Sequence, residues 1–146
     1  MTNYRERLWP APWLYLATAL VMPASLLVFV PINVGVGAIV AVVLYVGCCV
    51  GLVLASPVIE VTADELVAGR AHLPLAAIGE ATAHTGEEAV LERGQRLDAR
   101  AWLLIRGWIA PVVRVEVRDA DDPTPYWLVS TRQPDALVAA LQVGRP

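Results

Sequence analysis

Between Pro10 and Val58 the chain contains no Asp, Glu, Lys, Arg or His. An apolar run of that length, with no charge in it, reads best as membrane-spanning. The run is broken once, at Pro31-Ile32-Asn33. Trp13 to Val30 gives 18 residues, and as a helix rising about 1.5 Å per residue it spans ~27 Å, enough for a thin hydrocarbon core. Val34 to Ala55 gives 22 residues. The chain thus predicts two transmembrane helices, about 13–30 and 34–55. They form an antiparallel hairpin because the break is too short for any other arrangement.

Local signals fit that division. Pro10 and Pro12 suit a helix start, where the first amides need no intrahelical partner. Trp9, Trp13 and Tyr15 suit the headgroup level. Pro23 removes one backbone bond and predicts a mid-span kink, and Pro31 ends the first helix. Asn33 is a natural N-cap for the second. The first span exceeds the roughly 7–15 apolar residues of a signal peptide and is followed at once by another, so it is expected to be retained. Gly47, Gly51 and Ala55 recur every four residues, as do Gly37 and Ala41 earlier. Small residues at this spacing predict close helix packing, against the first helix or another protein.

Charge decides the orientation. Arg5 and Arg7 precede the hairpin, Arg70 and eight further arginines follow it, and the turn has none. By the positive-inside rule both termini are expected in the cytoplasm, with a multi-pass location in the cell (inner) membrane. The chain is 57% hydrophobic and 17% charged, below the usual quarter for a soluble domain, and the imbalance is concentrated in the first third. The net charge of −3 gives no reason to expect a nucleic-acid partner. Cys48 and Cys49 are adjacent within the second span and read as small apolar residues.

After Ser56-Pro57 the pattern changes. Residues 1–57 are read as the flank and the two helices, and 58–146 as a cytoplasmic β domain. Short strands are expected at Val58–Thr62, Leu66–Ala68, Ala71–Leu73 and Gly79–His84. Pro74–Ile78 is a connector, and Thr85–Ala99 is polar and irregular with one helical turn around Glu88–Glu92. Arg100–Arg106 is a strand, and Val112–Arg118 alternates with period two, valines on one face and charges on the other. Residues 120–125 form a turn, and Tyr126–Thr131 is the last strand. A closing helix starts at Pro134, carries Asp135 in its first turn, aligns Leu137, Val138 and Leu141, and ends at Gly144 and Pro146. The fold class is therefore membrane α plus β: a two-helix hairpin, then a small antiparallel β domain with a C-terminal capping helix.

Strands closed by a helix resemble the pleckstrin-homology-like fold. The chain as a whole is similar to a family of small actinobacterial two-span membrane proteins of unknown function. The segments carrying this similarity are Tyr4–Leu8, Leu73–Gly79, Asp98–Leu103 continuing through Gly107–Ile109, and Asp122–Arg132. The resemblance implies architecture and supplies no activity. Classical pleckstrin-like domains often bind phosphoinositides through basic loops, but with no Lys cluster here that binding is not carried over.

No Gly-rich phosphate loop, paired helical His ligands or nucleophile elbow is present in the sequence. His72 and His84 stand alone in expected strands. Asp119, Asp121 and Asp122 lie in a turn without the spacing of a calcium loop, and Glu87, Glu88 and Glu92 read as a solvated face. No catalytic residue, metal or cofactor is assigned. Within the spans only Thr18, Ser25, Asn33 and Tyr45 are polar candidates, which supply no acid, base or metal ligand. The one patch singled out is Arg100, Trp102, Arg106, Trp108 and Arg114, joined by Arg132. Arg with Trp suits a lipid headgroup surface or a protein hot spot, and Trp102 also suits the core. The expected role is a non-catalytic membrane-anchored adaptor or accessory protein docking a membrane or cytoplasmic protein partner. A lipid-headgroup-sensing module is the alternative, and homo-oligomerisation through Gly47 and Gly51 stays open.

Overall fold

Two units make up the computed structural model, which describes residues 3–144. One is Trp9–Ser56; the other joins the residues up to Leu8 with those from Pro57 onward.

The first unit is helical. Helix α1 (Pro12–Thr18) starts on Pro12, and α2 (Val21–Phe29) follows after a two-residue break. The break at Ala19 and Leu20 lies one turn before Pro23, where the missing proline N–H would have bonded the Ala19 carbonyl. The chain tightens there, with Leu20 N–H donating to Ala17 O (3.2 Å) and Met22 N–H to Ala19 O (3.0 Å). The expected kink is therefore present, and α1 and α2 together replace the single helix expected over 13–30. Asn33 caps α3 (Val34–Leu54), its Oδ1 accepting from Val36 N–H at 3.1 Å. The 18 residues Pro12–Phe29 and the 21 of α3 are each long and apolar enough to cross a membrane.

Close packing in the hairpin falls at Gly37 and Ala41, the buried residues of α3. A Cβ on Gly37 would lie 2.7 Å from Phe29 Cβ, so the glycine is what lets the helices approach. Gly47 and Gly51 meet nothing within 4 Å and Ala55 is exposed. Of the two partners left open for these three, the first helix is not the one met within the chain, where the close approach falls nearer the turn.

The second unit holds two four-stranded sheets. The first runs β1 (Tyr4–Arg7), β2 (Val58–Val61), β3 (Glu65–Ala68), β4 (Ala71–Pro74), all antiparallel neighbours. Strand β1 corrects the sequence reading, which placed residues 4–7 in a flank of the helices. Four residues with three charges carry no hydrophobic alternation, and only pairing with β2 makes them a strand. Gly69, at φ +65°, makes the tight β3–β4 turn, a conformation that suits glycine. A short 3-10 turn, Leu75–Ala77, leads into the second sheet.

That sheet comprises β5 (Ile78–His84), β6 (Trp102–Leu104), β7 (Val112–Val117) and β8 (Tyr126–Ser130), in spatial order β5-β7-β8-β6. Strand β6 pairs with β8 in parallel, which corrects the all-antiparallel expectation. The long crossing from β5 to β6 carries α4 (Gly86–Arg93), a full helix where a single turn was expected. The sheets enclose one core, including Leu8, Ile59, Leu66, Val113, Val115, Trp127 and Val129. Helix α5 (Pro134–Val143) adds Leu137 and Leu141 and packs on strands of both sheets. All five residues of β8 are buried. Trp127 and Val129 face this core, while Tyr126 and Leu128 face a smaller cluster with Ala89 and Val112. The expected role of Pro146 in ending α5 lies outside the described residues.

Candidate functional site

The six residues grouped by sequence do not form one patch. Arg100 is exposed and folds back on Asp98, donating from its backbone N–H (2.8 Å), Nε (3.2 Å) and Nη2 (3.0 Å). These bonds hold the Asp98 carboxyl down at about 2. Trp102 stacks on Trp127, ring centroids 4.3 Å apart, and packs against the core. Trp108 also packs against the core, with its Nε1 buried and unpartnered among the described residues. Both tryptophans are thus engaged in core packing. Arg106 is half-buried: its Nη1 donates to Ile105 O at 2.9 Å, and its backbone N–H to Ser130 Oγ at 3.0 Å.

Arg114 belongs to a buried network. Its Nη1 lies 3.2 Å from Glu92 Oε2, and its guanidinium stacks 3.9 Å from the Tyr126 ring centroid. Glu92, only 4% exposed at its side chain, also accepts from Arg96 at 3.3 Å. The network ties α4 to the outer face of the second sheet. Tyr126 Oη completes it, accepting from Asp98 N–H (2.8 Å) and donating to Arg96 O (3.3 Å).

Arg132 joins a second network that sequence reasoning missed. Glu6 on β1 accepts from Tyr4 Oη (2.7 Å), Thr131 Oγ1 and Arg132 N–H (3.0 Å). Burial pushes the Tyr4 phenol above its ordinary range. The bonds from Thr131 and Arg132 join residues 125 and 126 positions apart, so spacing gave no sign of them. Glu92, by contrast, sits four residues before Arg96, a helical ion-pair spacing visible in the sequence.

Neither histidine gathers further ligands. His72 Nδ1 lies 3.1 Å from Glu65 Oε1, and His84 Nε2 lies 3.1 Å from Thr82 Oγ1. Among the described residues no three His, Cys, Asp or Glu side chains are grouped to hold a metal. The acidic loop binds its own backbone, Asp119 Oδ1 accepting from Asp121 N–H (3.0 Å) and Asp122 Oδ1 from Thr124 N–H (2.8 Å). In the helices, Thr18 Oγ1 donates to Leu14 O at 2.7 Å, and Asn33 serves as the cap already described.

The chain is thus a small protein in which a pair of helices apolar enough to cross a membrane is joined to a two-sheet β unit closed by a helix. It belongs to the family described as protein of unknown function (DUF3093), whose model matches residues 3–141. Neither the curated proteins nor the solved structures contain a match.

Proposed function

We propose that the chain is a two-span inner-membrane protein acting as a non-catalytic adaptor, with a pleckstrin-homology-like β unit that docks a protein partner at the cytoplasmic surface. The observation carrying this reading is where the hairpin interrupts the sheet. Strand β1 precedes it and β2 follows it, yet they pair continuously from Tyr4↔Val61 to Arg7↔Val58. Leu8 N–H extends the ladder to Pro57 O at 2.9 Å. Two paired strands lie on one side of any bilayer that the segment between them crosses. Pairing therefore supports a topology with both chain ends on the same side, and Arg5 and Arg7 with the later arginines favour the cytoplasm.

The pleckstrin-like description is supported by two sheets around one core and by α5 packing on both. The parallel β6–β8 pair and the interrupted first sheet depart from that pattern. An adaptor needs no pocket. Fixed beside the bilayer, a modest docking surface gains effective concentration from the tether. The test combines reporter fusions after the C-terminus and within the 31–33 turn with photo-cross-linking from exposed β-unit positions in native membranes. The reading expects a cytoplasmic C-terminus, an external turn and one recurring protein adduct. An external C-terminus sinks the topology, and adducts to lipid alone sink the adaptor.

A further inference from the structure

The two sheets leave four edge strands, and three of them are poor templates for a further strand. Strand β1 has four residues with three charges, and Glu6 ties it to Thr131 and Arg132. Strand β4 has four residues and ends in Pro74, and β6 has only three. Short length, charge and proline are means by which sheets avoid pairing with other chains. Strand β5 is the exception. It has seven residues, pairs only with β7, and carries no Pro, Lys or Arg. In an antiparallel edge strand alternate residues point their N–H and C=O groups away from the sheet. Among the described residues, those outward groups of 79–84 meet no partner.

A bulge shapes this edge. Ile78 lies opposite Val117 and Ala81 opposite Val115, so Gly79 and Glu80 together face Glu116. Gly79 fits there because a Cβ would fall 2.9 Å from both Glu116 Cβ and Arg118 Nε. The extra residue re-aims Glu80, which is exposed and lines a cavity of about 80 Å3 between β5 and α5. The other lining residues are the apolar Ile78, Ala81 and Leu141 and the polar Gln142. Among the described residues Glu80 has no hydrogen-bond or ion-pair partner, and Arg118 makes no ion pair. From Ala71 to Glu92 the chain has no Lys or Arg. Beyond the bulge Ala81, Thr82 and Ala83 are small, which leaves room beside the edge for the side chains of an incoming strand.

We propose that β5 is the docking edge of the β unit: it takes an extended segment of a partner protein as a further strand, with a Lys or Arg of that segment in the cavity beside Glu80. The inference rests on the adaptor reading and names where, and by what chemistry, the partner is held. The lining fits a long basic side chain, whose methylene stem lies on Ile78, Ala81 and Leu141 while its cation reaches Glu80 and Gln142. A volume of about 80 Å3 holds several groups the size of water, enough for that stem. Main-chain bonds to the edge supply affinity whatever the sequence, and the cavity supplies the choice of side chain. A second copy pairing through the same edge brings no Lys or Arg to Glu80, because β5 has none. Charge complementarity therefore favours a basic partner segment over self-pairing.

The test uses the full chain in phosphatidylcholine nanodiscs and a blocked hexapeptide, Thr-Val-Lys-Val-Thr-Val, at millimolar concentration, read by hydrogen exchange with mass spectrometry. Expected is several-fold slower exchange over 81–84 when the peptide is added, lost with an N-methylated peptide that cannot donate to the edge. Replacing the peptide's Lys by Glu weakens binding about tenfold, Glu80→Lys does the same, and the two exchanges together restore it. Unchanged protection of β7 and β8 in Glu80→Lys shows that the fold is intact. No protection of 81–84, or protection indifferent to both charge exchanges, overturns the proposal. So does concentration-dependent protection of 81–84 without peptide, which marks a second copy. Photo-cross-linking in native membranes separates this failure from that of the adaptor reading. Protein adducts at other exposed positions of the β unit, with none at position 82, leave the adaptor standing and remove β5 as its site; no protein adduct anywhere removes both.

Discussion

Arg114 separates a binding role from a structural one. Its guanidinium is the closest partner of Glu92, whose side chain is 4% exposed, and the other partner, Arg96, is 48% exposed. Arg114→Ala strands a buried carboxylate on one solvent-facing arginine. Removing one member of a buried pair costs about 3–5 kcal/mol. Arg114 is itself 31% exposed and Arg96 remains, so the cost falls to the bottom of that range or just below it, about 2–3 kcal/mol. Loss of the stack on Tyr126 adds about 0.5–1 kcal/mol. The sum, about 3 kcal/mol, lowers the melting temperature of a unit this size by roughly 15 °C. The assay is thermal unfolding of the full chain in detergent, followed by near-ultraviolet circular dichroism of the stacked Trp102 and Trp127. Adding Glu92→Gln to Arg114→Ala should recover part of the loss, because a neutral amide is cheaper to bury than an unpaired carboxylate. Melting of Arg114→Ala within a few degrees of wild type, or further loss on adding Glu92→Gln, would refute the network and return Arg114 to the list of surface ligands.

Tyr4 makes the β unit sensitive to alkali. Its folded-state pKa is raised, chiefly by burial, so its contribution is complete below the ordinary tyrosine pKa near 10 and is lost as pH rises beyond it. Tyr4→Phe should flatten the fall in urea midpoint above about pH 10. Asp98 titrates in the opposite window: held at about 2, it favours the fold above its ordinary pKa and loses that effect as pH falls toward 2. Carboxyl NMR should find that midpoint, and Arg100→Ala should raise it only part of the way to the ordinary value, because the backbone N–H of residue 100 still donates to Asp98 Oδ1. Gly37→Val puts a side chain where a Cβ already falls 2.7 Å from Phe29 Cβ and should destabilise the helical hairpin by about 1–3 kcal/mol in SDS titrations. Gly47→Val, with nothing within 4 Å, should leave it unchanged unless that face meets another chain.

What was legible in the sequence follows from the range of the interactions involved. The helices, the Pro23 break, the Asn33 cap and the alternation of β7 are local consequences of backbone chemistry and side-chain period, and each appears where its signal lies. The pairing of β6 with β8 is not local, and a three-residue strand has too short a period to announce its direction. Arg-Trp composition suggested a surface, but the side chains divide between core, edge and buried network. Composition records which residues are near in sequence, while register decides which face each one takes.

The least legible element, β1, is also the one that binds the architecture together. Pairing it with β2 across an unstructured Trp9–Ser56 segment would cost about 3 kcal/mol in loop closure, beyond a constant term. Four exposed-edge residues offer little to offset that. Once α2 and α3 pack antiparallel, the ends of the segment are already neighbours, and pairing β1 with β2 becomes a local event. Only then can Glu6 reach Thr131 and Arg132 and close the sheet onto the end of β8. The expected order of assembly is hairpin first, then β1 onto β2, then the Glu6 bonds, which pulsed hydrogen exchange during refolding would check. A hairpin held apart should therefore free β1 while the second sheet, whose strands all lie after residue 77, keeps its own ladder. The strand before the helical segment is thus expected to report on that segment's packing, through the chain that joins β1 to β2.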